Sequence, residues 1–410
     1  MTASRDPQVL VIGAGPTGLA TAAALVRQGV SVRIIDQSEA RSDRSKALGV
    51  QAGTLECIAK ALDPALSEEM IRSGQPAREA WIHIDDQSPI PVDFKTIPSR
   101  FPYILILAQS ETERILEAFL TKHSVEVERR TELLEIESQG SAQGSKVVSK
   151  IKGPKGEETI TSDFVIGCDG AHSTVRHQMG FTFEGAAYTG DFILGDVTLE
   201  WPWPYDSIHT FVSERGVIAS FPMKGERKYR LILIPKEESP ADRPAEISLE
   251  EFRSVTDFLS QKKIRVQDAS WLTRFRVHHR RVEHFQKGRV FLAGDAAHIH
   301  SPAGGQGMNT GIQDAFNLAF KLKRYLDGQS DFESLRRYER ERLPVAKKVL
   351  RGTDWVFKLA LLPETGLTSF LRRVVVARLV RKAWIQKRVA AAISEMAVAQ
   401  KEMARYPAER

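Results

Sequence analysis

The chain has 410 residues, 42% of them hydrophobic and 27% charged. That balance excludes a disordered chain or a collagen-like fibre, and the length suggests two or three domains. Fifty-eight Lys and Arg against 52 Asp and Glu leave a net charge of only +6, with no basic–aromatic pattern that would indicate nucleic acid. Cys57 and Cys168 are the only cysteines, too few for a disulfide framework or a cysteine-rich zinc site, and both read as small buried hydrophobes. No segment approaches the ~18 uninterrupted apolar residues of a membrane span. The N-terminus, MTASRDPQ, lacks the charged and apolar regions of a secretory signal, so a cytoplasmic location is expected.

In chain order, residues 8–12 predict a short apolar strand, 17–28 an alanine-rich helix and 31–35 a β-branched strand: one βαβ unit. A helix is expected near 54–61. Prolines 89, 91, 98 and 102 then punctuate short alternating strands across 77–107. Residues 111–122 return to helical periodicity, and strands are expected near 125–130, 133–138, 146–151 and 164–167. The block 183–275 is β-rich, with strands at 191–198, 207–212, 217–222 and 230–235 and one helical insertion at 249–262. A buried strand at 289–293 and a long helix at 309–326 follow, and nearly everything after Asp331 reads as helix, with a break at 362–366.

The first chemical signal is GAGPTG, in which Gly13, Gly15 and Gly18 follow a predicted strand and open a predicted helix. Gly13 permits a tight turn, Gly15 lets the backbone approach a pyrophosphate, and Gly18 lets helix and strand pack closely. The helix N-terminus adds free N–H groups and positive potential. Asp36 ends the second strand, where a carboxylate accepts the hydroxyls of a ribose and repels a 2′-phosphate. A single GxGxxG is weak by itself; the strand before it, the helix after it and the acid at this distance make it a dinucleotide site. The most informative stretch is GRVFLAGDAAHIHSPAGGQGMNTGIQDAFNLAFKL, residues 288–322. A strand delivers Gly294 and Asp295, placing a carboxylate for a sugar or polyol. The glycine-rich turn 302–307 then exposes backbone N–H groups beside a helix N-terminus, a geometry that stabilises negative charge on a reduced isoalloxazine.

These two motifs, with CDGAHSTVR at 168–176 between them, resemble the FAD-dependent aromatic hydroxylases, the single-component flavoprotein monooxygenases of the para-hydroxybenzoate hydroxylase type. The likeness is greatest to the branch acting on phenols and aromatic polyketides, and it runs from about residue 8 to residue 350. It implies an α/β fold: a Rossmann-like FAD-binding domain interrupted by a mainly antiparallel β-sheet substrate domain, with a helical C-terminal region. The FAD-binding parts are expected at 1–76, 108–182 and 281–330, substrate-domain segments at 77–107 and 183–280, and the helical region at 331–410. By the same resemblance, Gly13, Gly15 and Gly18 hold the FAD pyrophosphate, Asp36 the adenosine ribose and Asp295, beside Gly294, the ribityl chain. Lys46 stands where the family usually has an arginine, a departure that removes a bidentate contact. Gln109 touches the flavin side, Leu133 the adenine through its backbone, and Asp169 and Arg176 belong to the motif that serves FAD and the pyridine nucleotide. Pro302, Gly305, Gly307, Met308 and Asn309 form the wall around the isoalloxazine, with Pro302, Gly305 and Gly307 bounding the substrate pocket.

The activity so implied is NAD(P)H- and O2-dependent hydroxylation of an aromatic small molecule, phenolic or polyketide-like, through a flavin hydroperoxide. No side chain is assigned to deprotonate a phenol. Two alternatives share the motifs: a flavin-dependent reductase of an isoprenoid or polyene, and a non-catalytic FAD-binding scaffold. Phe211, Phe221 and Met223 are candidate pocket residues, with plain core packing the alternative reading. His298 and His300 suit no common zinc spacing, so no metal is expected. The stretch His278–His279–Arg280–Arg281 reads as a solvated charged turn. WPWPYD at 201–206 only partly matches the WxWxIP signature of flavin-dependent halogenases. Residues 372–388 carry seven Lys/Arg and no acid, with Val376, Leu379, Val380, Ala383 and Trp384 on one helical face. This basic amphipathic helix is expected to pack onto the flavin domain or a second subunit of a homodimer, or alternatively to touch anionic lipid as a peripheral membrane contact.

Overall fold

The computed structural model describes residues 6–42, 47–85, 87–139, 144–236, 244–300, 305–360 and 381–406. Strand Val9–Ile12, whose four residues are all buried, sits inside a six-stranded sheet. An apolar run with no alternation is what a parallel strand covered on both faces requires. It pairs in parallel with Val32–Ile35 on one side and Phe164–Gly167 on the other. Val127–Glu128 adds to the first edge; Val290–Leu292 adds to the second, itself followed by the short Gln286–Lys287. Three of the central neighbours thus come from widely separated parts of the chain. Helix Pro16–Arg27 packs between Gly307–Leu326 and Gln109–Lys122.

The second body is an eight-stranded sheet dominated by two 18-residue strands, Phe183–Glu200 and Arg265–Val282, paired antiparallel with three bulges. Lys228–Pro235, Gly216–Pro222 and Ser207–Ser213 continue it antiparallel; Glu79–Ile84 then joins parallel to Ser207–Ser213, and Ile90–Asp93 closes the edge. Its outer face is covered by helix Leu249–Ser260, which buries Phe252 and Leu259 against Ile193, Val197, Ile218, Leu231 and Leu233. The inner face packs Ile208, Phe221 and Met223 against Leu48, Ile104 and Ile106, in and beside a three-stranded sheet of Gly49–Val50, Ile104–Ile106 and Gln75–Ala77. Charged His278–Arg281 forms no turn: it lies within the long strand Arg265–Val282, opposite 184–187, with Arg280 and Arg281 also pairing Ile299 and His298.

Helix Pro64–Ser73 was not among the predicted elements; Asp63 caps it by accepting the Ala65 N–H, with Pro64 in the first turn, where its missing N–H costs nothing. The C-terminal helices Ala383–Ile393 and Met396–Met403 fold back onto the core. The first lies against Ile90–Asp93 and the second against Ala52–Ala61. Of the basic amphipathic stretch, residues 372–380 lie outside the described residues. In the remainder, Ala383 and Trp384 are exposed, Trp384 to 53% beneath Arg388. It is just beyond the stretch that Val389, Ala390 and Ile393 dock into the core under the inner face. Both cysteines are buried and free.

Candidate functional site

Gly13, the residue after the first strand, has φ +98°, and a Cβ there would lie 2.6 Å from the Cys168 carbonyl oxygen. Only glycine tolerates both conditions. Gly18 faces the Gly13 carbonyl so closely that a Cβ would overlap it, whereas a Cβ on Gly15 would meet nothing within 4 Å. The cradle is therefore tight at its two ends and open in its middle. Helix Pro16–Arg27 starts there with no side-chain cap and no acid in its first turn, leaving its leading N–H groups for an anion. Asp36 closes one side. Its Oδ2 accepts the Ala14 N–H at 2.6 Å and its Oδ1 the Ser38 N–H at 2.8 Å, with Arg129 Nη1 3.9 Å away.

Gly294 and Asp295 follow strand Val290–Leu292 in a 3-10 turn at the same end of the sheet. Gly294 has φ +60°, and side-chain atoms of Thr17 occupy the space a Cβ would need; Thr17 likewise blocks a Cβ on Gly311. One threonine thus brings the glycine loop, this turn and helix Gly307–Leu326 together. Asp295 is exposed on the turn. Helix Gly307–Leu326 also begins without a side-chain cap or an early acid. Asn309, fully buried, binds its own turn to the segment carrying Gly49 and Gln51. Its Nδ2 donates to the Gly49 and Gly305 carbonyls at 2.9 and 2.7 Å, and its Oδ1 accepts the Gln51 N–H at 2.8 Å. Gly305 has φ +62°, a Cβ on Gly307 would lie 3.4 Å from the His300 ring, and Met308 packs partly buried on the core. Lys46 and Pro302 lie outside the described residues.

The remaining expected residues divide into inward and outward roles. Gln109 opens the uncapped helix Gln109–Lys122 and donates to Glu113 Oε1 at 2.8 Å; burial raises the Glu113 pKa. Asp169 braces its own loop, and Arg176 ties that loop to the Gly294–Ala296 turn. Asp169 accepts from Ser173 Oγ at 2.5 Å and the Val175 N–H at 3.1 Å, and burial raises its pKa. Arg176, 2% exposed, donates to the carbonyls of Ala171 and Ala296 and lies 4.0 Å over the Phe183 ring. Leu133 is buried in strand Glu132–Ser138, two residues beyond Thr131, whose N–H donates to the Asp36 carbonyl at 2.9 Å.

Phe221 and Met223 share the inner face, but Phe211 does not. Its ring packs on the outer cluster, 4.2 Å from His83 and 5.0 Å from Trp203. Strand parity explains the split: Ile208 points inward, so His209 and Phe211 point outward. Trp201 and Trp203 belong to that outer cluster as well. In the inner-face row that holds Phe221, register places Arg230 and Asp196 as neighbours, joined by two hydrogen bonds of 2.6 and 2.7 Å, with Trp271 under the guanidinium. Two surface cavities lie elsewhere. One, of about 640 Å³, flanks helix Leu249–Ser260 at Arg215 and Phe258; the other, of about 450 Å³, is lined by Trp201, Trp203, Tyr205 and Tyr229. Neither touches a glycine turn, so they do not mark this site. Among the described residues no group of His, Cys, Asp and Glu is arranged to hold a metal ion.

Residues 6–353 match the FAD binding domain family. The chain is 34% identical to 6-methylpretetramide 4-monooxygenase of Streptomyces rimosus over 85% of its own length and 61% of that protein's, and so spans less than two thirds of it. It is 34% identical to pentachlorophenol 4-monooxygenase of Sphingobium chlorophenolicum, covering 89% of this chain and 67% of that one. Among solved structures, CabE, an aromatic hydroxylase from angucycline biosynthesis, superposes with a TM-score of 0.78 at 29% identity, over 96% of this chain and 76% of that one. The chain belongs to the FAD-dependent aromatic monooxygenases. The α/β architecture expected from the motifs is therefore that of its family.

In this monooxygenase fold, motif reading missed the groups that hold the cofactor turns from behind. Asp314, His298 and Arg342 are all buried and joined: His298 Nε2 donates to Asp314 Oδ2 at 2.7 Å, and Arg342 Nε to Asp314 Oδ1 at 2.5 Å. Burial pushes the Asp314 pKa up, but Arg342 and His298 more than offset it and hold the pKa below the ordinary value. Glu395, just before helix Met396–Met403, and Glu402, within it, reach the same helix. Glu395 accepts from Thr310 and Gln313, and Glu402 from Asn317. A buried acid at helical spacing behind a motif, such as Asp314 in GIQDAF, was the available signal; its partner lies too far along the chain for spacing to reveal.

Proposed function

We propose that this chain holds FAD across the two uncapped helix ends and, with NAD(P)H and O2, hydroxylates an aromatic small molecule of phenolic or polyketide type. The observation that carries the reading is convergence. Two glycine turns, Asp36 and Asp295, drawn from opposite ends of the sequence, lie at one end of the same parallel sheet, around a cradle that a Cβ on Gly15 would enter. Ligands of open α/β sheets bind at the carboxyl ends of the strands. The residues present fit the cofactor: amides of the Gly13–Gly18 loop for the pyrophosphate, Asp36 for the ribose, Asp295 for the ribityl chain, and the Gly307–Asn309 helix start for the negative edge of the ring. Bound there, FAD supplies the electron transfer and oxygen activation that no side chain provides. The protein contributes orientation and a dry wall; Phe221 and Met223 on the inner face are the apolar groups nearest that role, with the sheet body as the substrate domain. Lys46 and Pro302 belong to the proposed cofactor contacts, and Asp169 and Arg176 act by holding their loop in shape. Exposed Arg381, Lys382, Lys387 and Arg388 around Trp384 extend the proposal to anionic lipid.

The test is direct. The purified protein is titrated with FAD, supplied with NADH or NADPH, and given a panel of phenols while O2 is followed. Substrate-dependent O2 consumption and a product heavier by one oxygen are expected. A product heavier by two hydrogens would identify a reductase, and flavin binding without turnover on any substrate a scaffold; either result overturns the reading. Co-sedimentation with anionic vesicles at low salt tests the lipid contact, and protein left in the supernatant removes it.

A further inference from the structure

The Gly294–Asp295 turn rests on a buried charge pair whose carboxylate lies late in the 288–322 stretch and whose guanidinium lies outside every motif. Asp314 has no solvent exposure, and its Oδ2 accepts both the Gly294 N–H at 3.2 Å and His298 Nε2 at 2.7 Å. Its Oδ1 is held by Arg342 Nε at 2.5 Å. Arg342, 1% exposed in its side chain, also donates from Nη2 to the Thr310 carbonyl at 3.1 Å, and its Nη1 lies 3.6 Å from Glu402 Oε1. One carboxylate therefore binds the turn that presents Asp295 to the helix whose first residues face the expected ring, and one guanidinium fixes that carboxylate. His298 stacks parallel to His300, at 6.0 Å and 8°, and His300 lies under Gly307.

We propose that Asp314 and Arg342 are positioning residues for the flavin, which shape the Gly294–Asp295 turn and, as a neutral pair, set the reduction potential of bound FAD. The inference rests on the FAD reading above. Its physical basis is that a charge left uncompensated in a dry interior acts strongly over several ångströms. A reduced flavin carries negative charge, so Asp314 deprived of Arg342 and left with His298 opposes reduction, and Arg342 deprived of Asp314 and left with Glu402 at 3.6 Å favours it.

The unmodified protein is first titrated with FAD by fluorescence; failure to take up flavin sinks the functional reading before any variant is made. Flavin midpoint potentials are then measured for Arg342→Gln, Asp314→Asn and the double variant. Arg342→Gln is expected to lower the potential, Asp314→Asn to raise it, and the double variant to return towards the unmodified value. A purely structural role lowers the melting temperature of the apoprotein in both single variants without splitting the sign of the potential. Shifts of one sign, or unchanged potentials with flavin retained, overturn the proposal. Where a neutralised single variant does not fold, Arg342→Lys keeps the cation and is expected to keep the potential while binding FAD several-fold more weakly; a displaced potential there overturns the proposal equally.

Discussion

Gly15 and Gly18 stand three residues apart and are glycine for opposite reasons, which makes them separable by experiment. Gly15 has an ordinary extended backbone, φ −74° and ψ −177°, and open space at its Cβ position. Gly15→Ala is therefore expected to leave apoprotein stability within about 0.5 kcal/mol, while weakening FAD binding at least tenfold, ~1.4 kcal/mol, because the methyl group occupies the phosphate cradle. At Gly18 an added Cβ runs into the Gly13 carbonyl, so Gly18→Ala is expected to destabilise the apoprotein by about 3 kcal/mol or more. Thermal unfolding of the two apoproteins beside a flavin titration checks both; equal stability losses would show that Gly15 is also a packing glycine. The turn at Gly13 and the close contact at Gly18 were legible in the sequence because each demands glycine locally. Arg342 was not: its role depends on a partner brought close only by the fold.

At the level of elements, a strand can be read where burial makes it alternate or run apolar. Val9–Ile12 and Phe164–Gly167 are buried throughout and were anticipated almost to the residue. Arg265–Val282 was not, because RVQDASWLTRFRVHHRRV carries charges on a half-exposed face and bulges break its period. Parity settles what proximity in sequence could not, sending Phe211 to the outer cluster. That cluster has a titration signature. His83 Nε2 and His209 Nδ1 lie 3.1 Å apart, and burial pushes each imidazole pKa down to about 4, with mutual repulsion adding to the shift on His83. The unfolded chain binds these protons near pH 6.5 and the folded chain only near pH 4, so stability is fully present above pH 6.5 and is lost as pH falls towards 4. The melting temperature is expected to decline across that window and to decline less steeply in His83→Phe; identical slopes would place the acid sensitivity elsewhere.

On the scale of the molecule, the discontinuous plan was visible in the order of the motifs, since a dinucleotide unit that reappears after a β block implies an inserted body. The C-terminal anchor was not visible, because the amphipathic face read from the sequence stops at Trp384, while the docking residues Val389, Ala390 and Ile393 and helix Met396–Met403 lie beyond it. Glu395 shows how committed that anchor is. It is 7% exposed, and burial raises its carboxyl pKa to about 8 despite Arg342, Thr310 and Gln313. The folded chain thus keeps a proton that the unfolded chain releases near pH 4.3. Stability is fully present below that value and erodes as pH rises towards 8. Glu395→Gln is expected to melt higher than the unmodified protein at pH 8.5 and to match it near pH 4.5; a constant gap at every pH would mean that the carboxyl is ionised in the fold.

The interrupted order of the six-stranded sheet also sets a timetable for synthesis. Val9–Ile12 can pair with Val32–Ile35 at once, yet its other neighbour is Phe164–Gly167, and that strand's own neighbour is Val290–Leu292. A ribosome adding ~5–20 residues per second leaves the first open edge waiting roughly 6–25 s. The supports behind the second glycine turn arrive later still, with Arg342 and finally Glu402. The nascent chain therefore displays half of a nucleotide cradle, with an unpaired apolar strand edge beside it, until Val290–Leu292 emerges, and FAD meets a finished site only once Glu402 has left the ribosome.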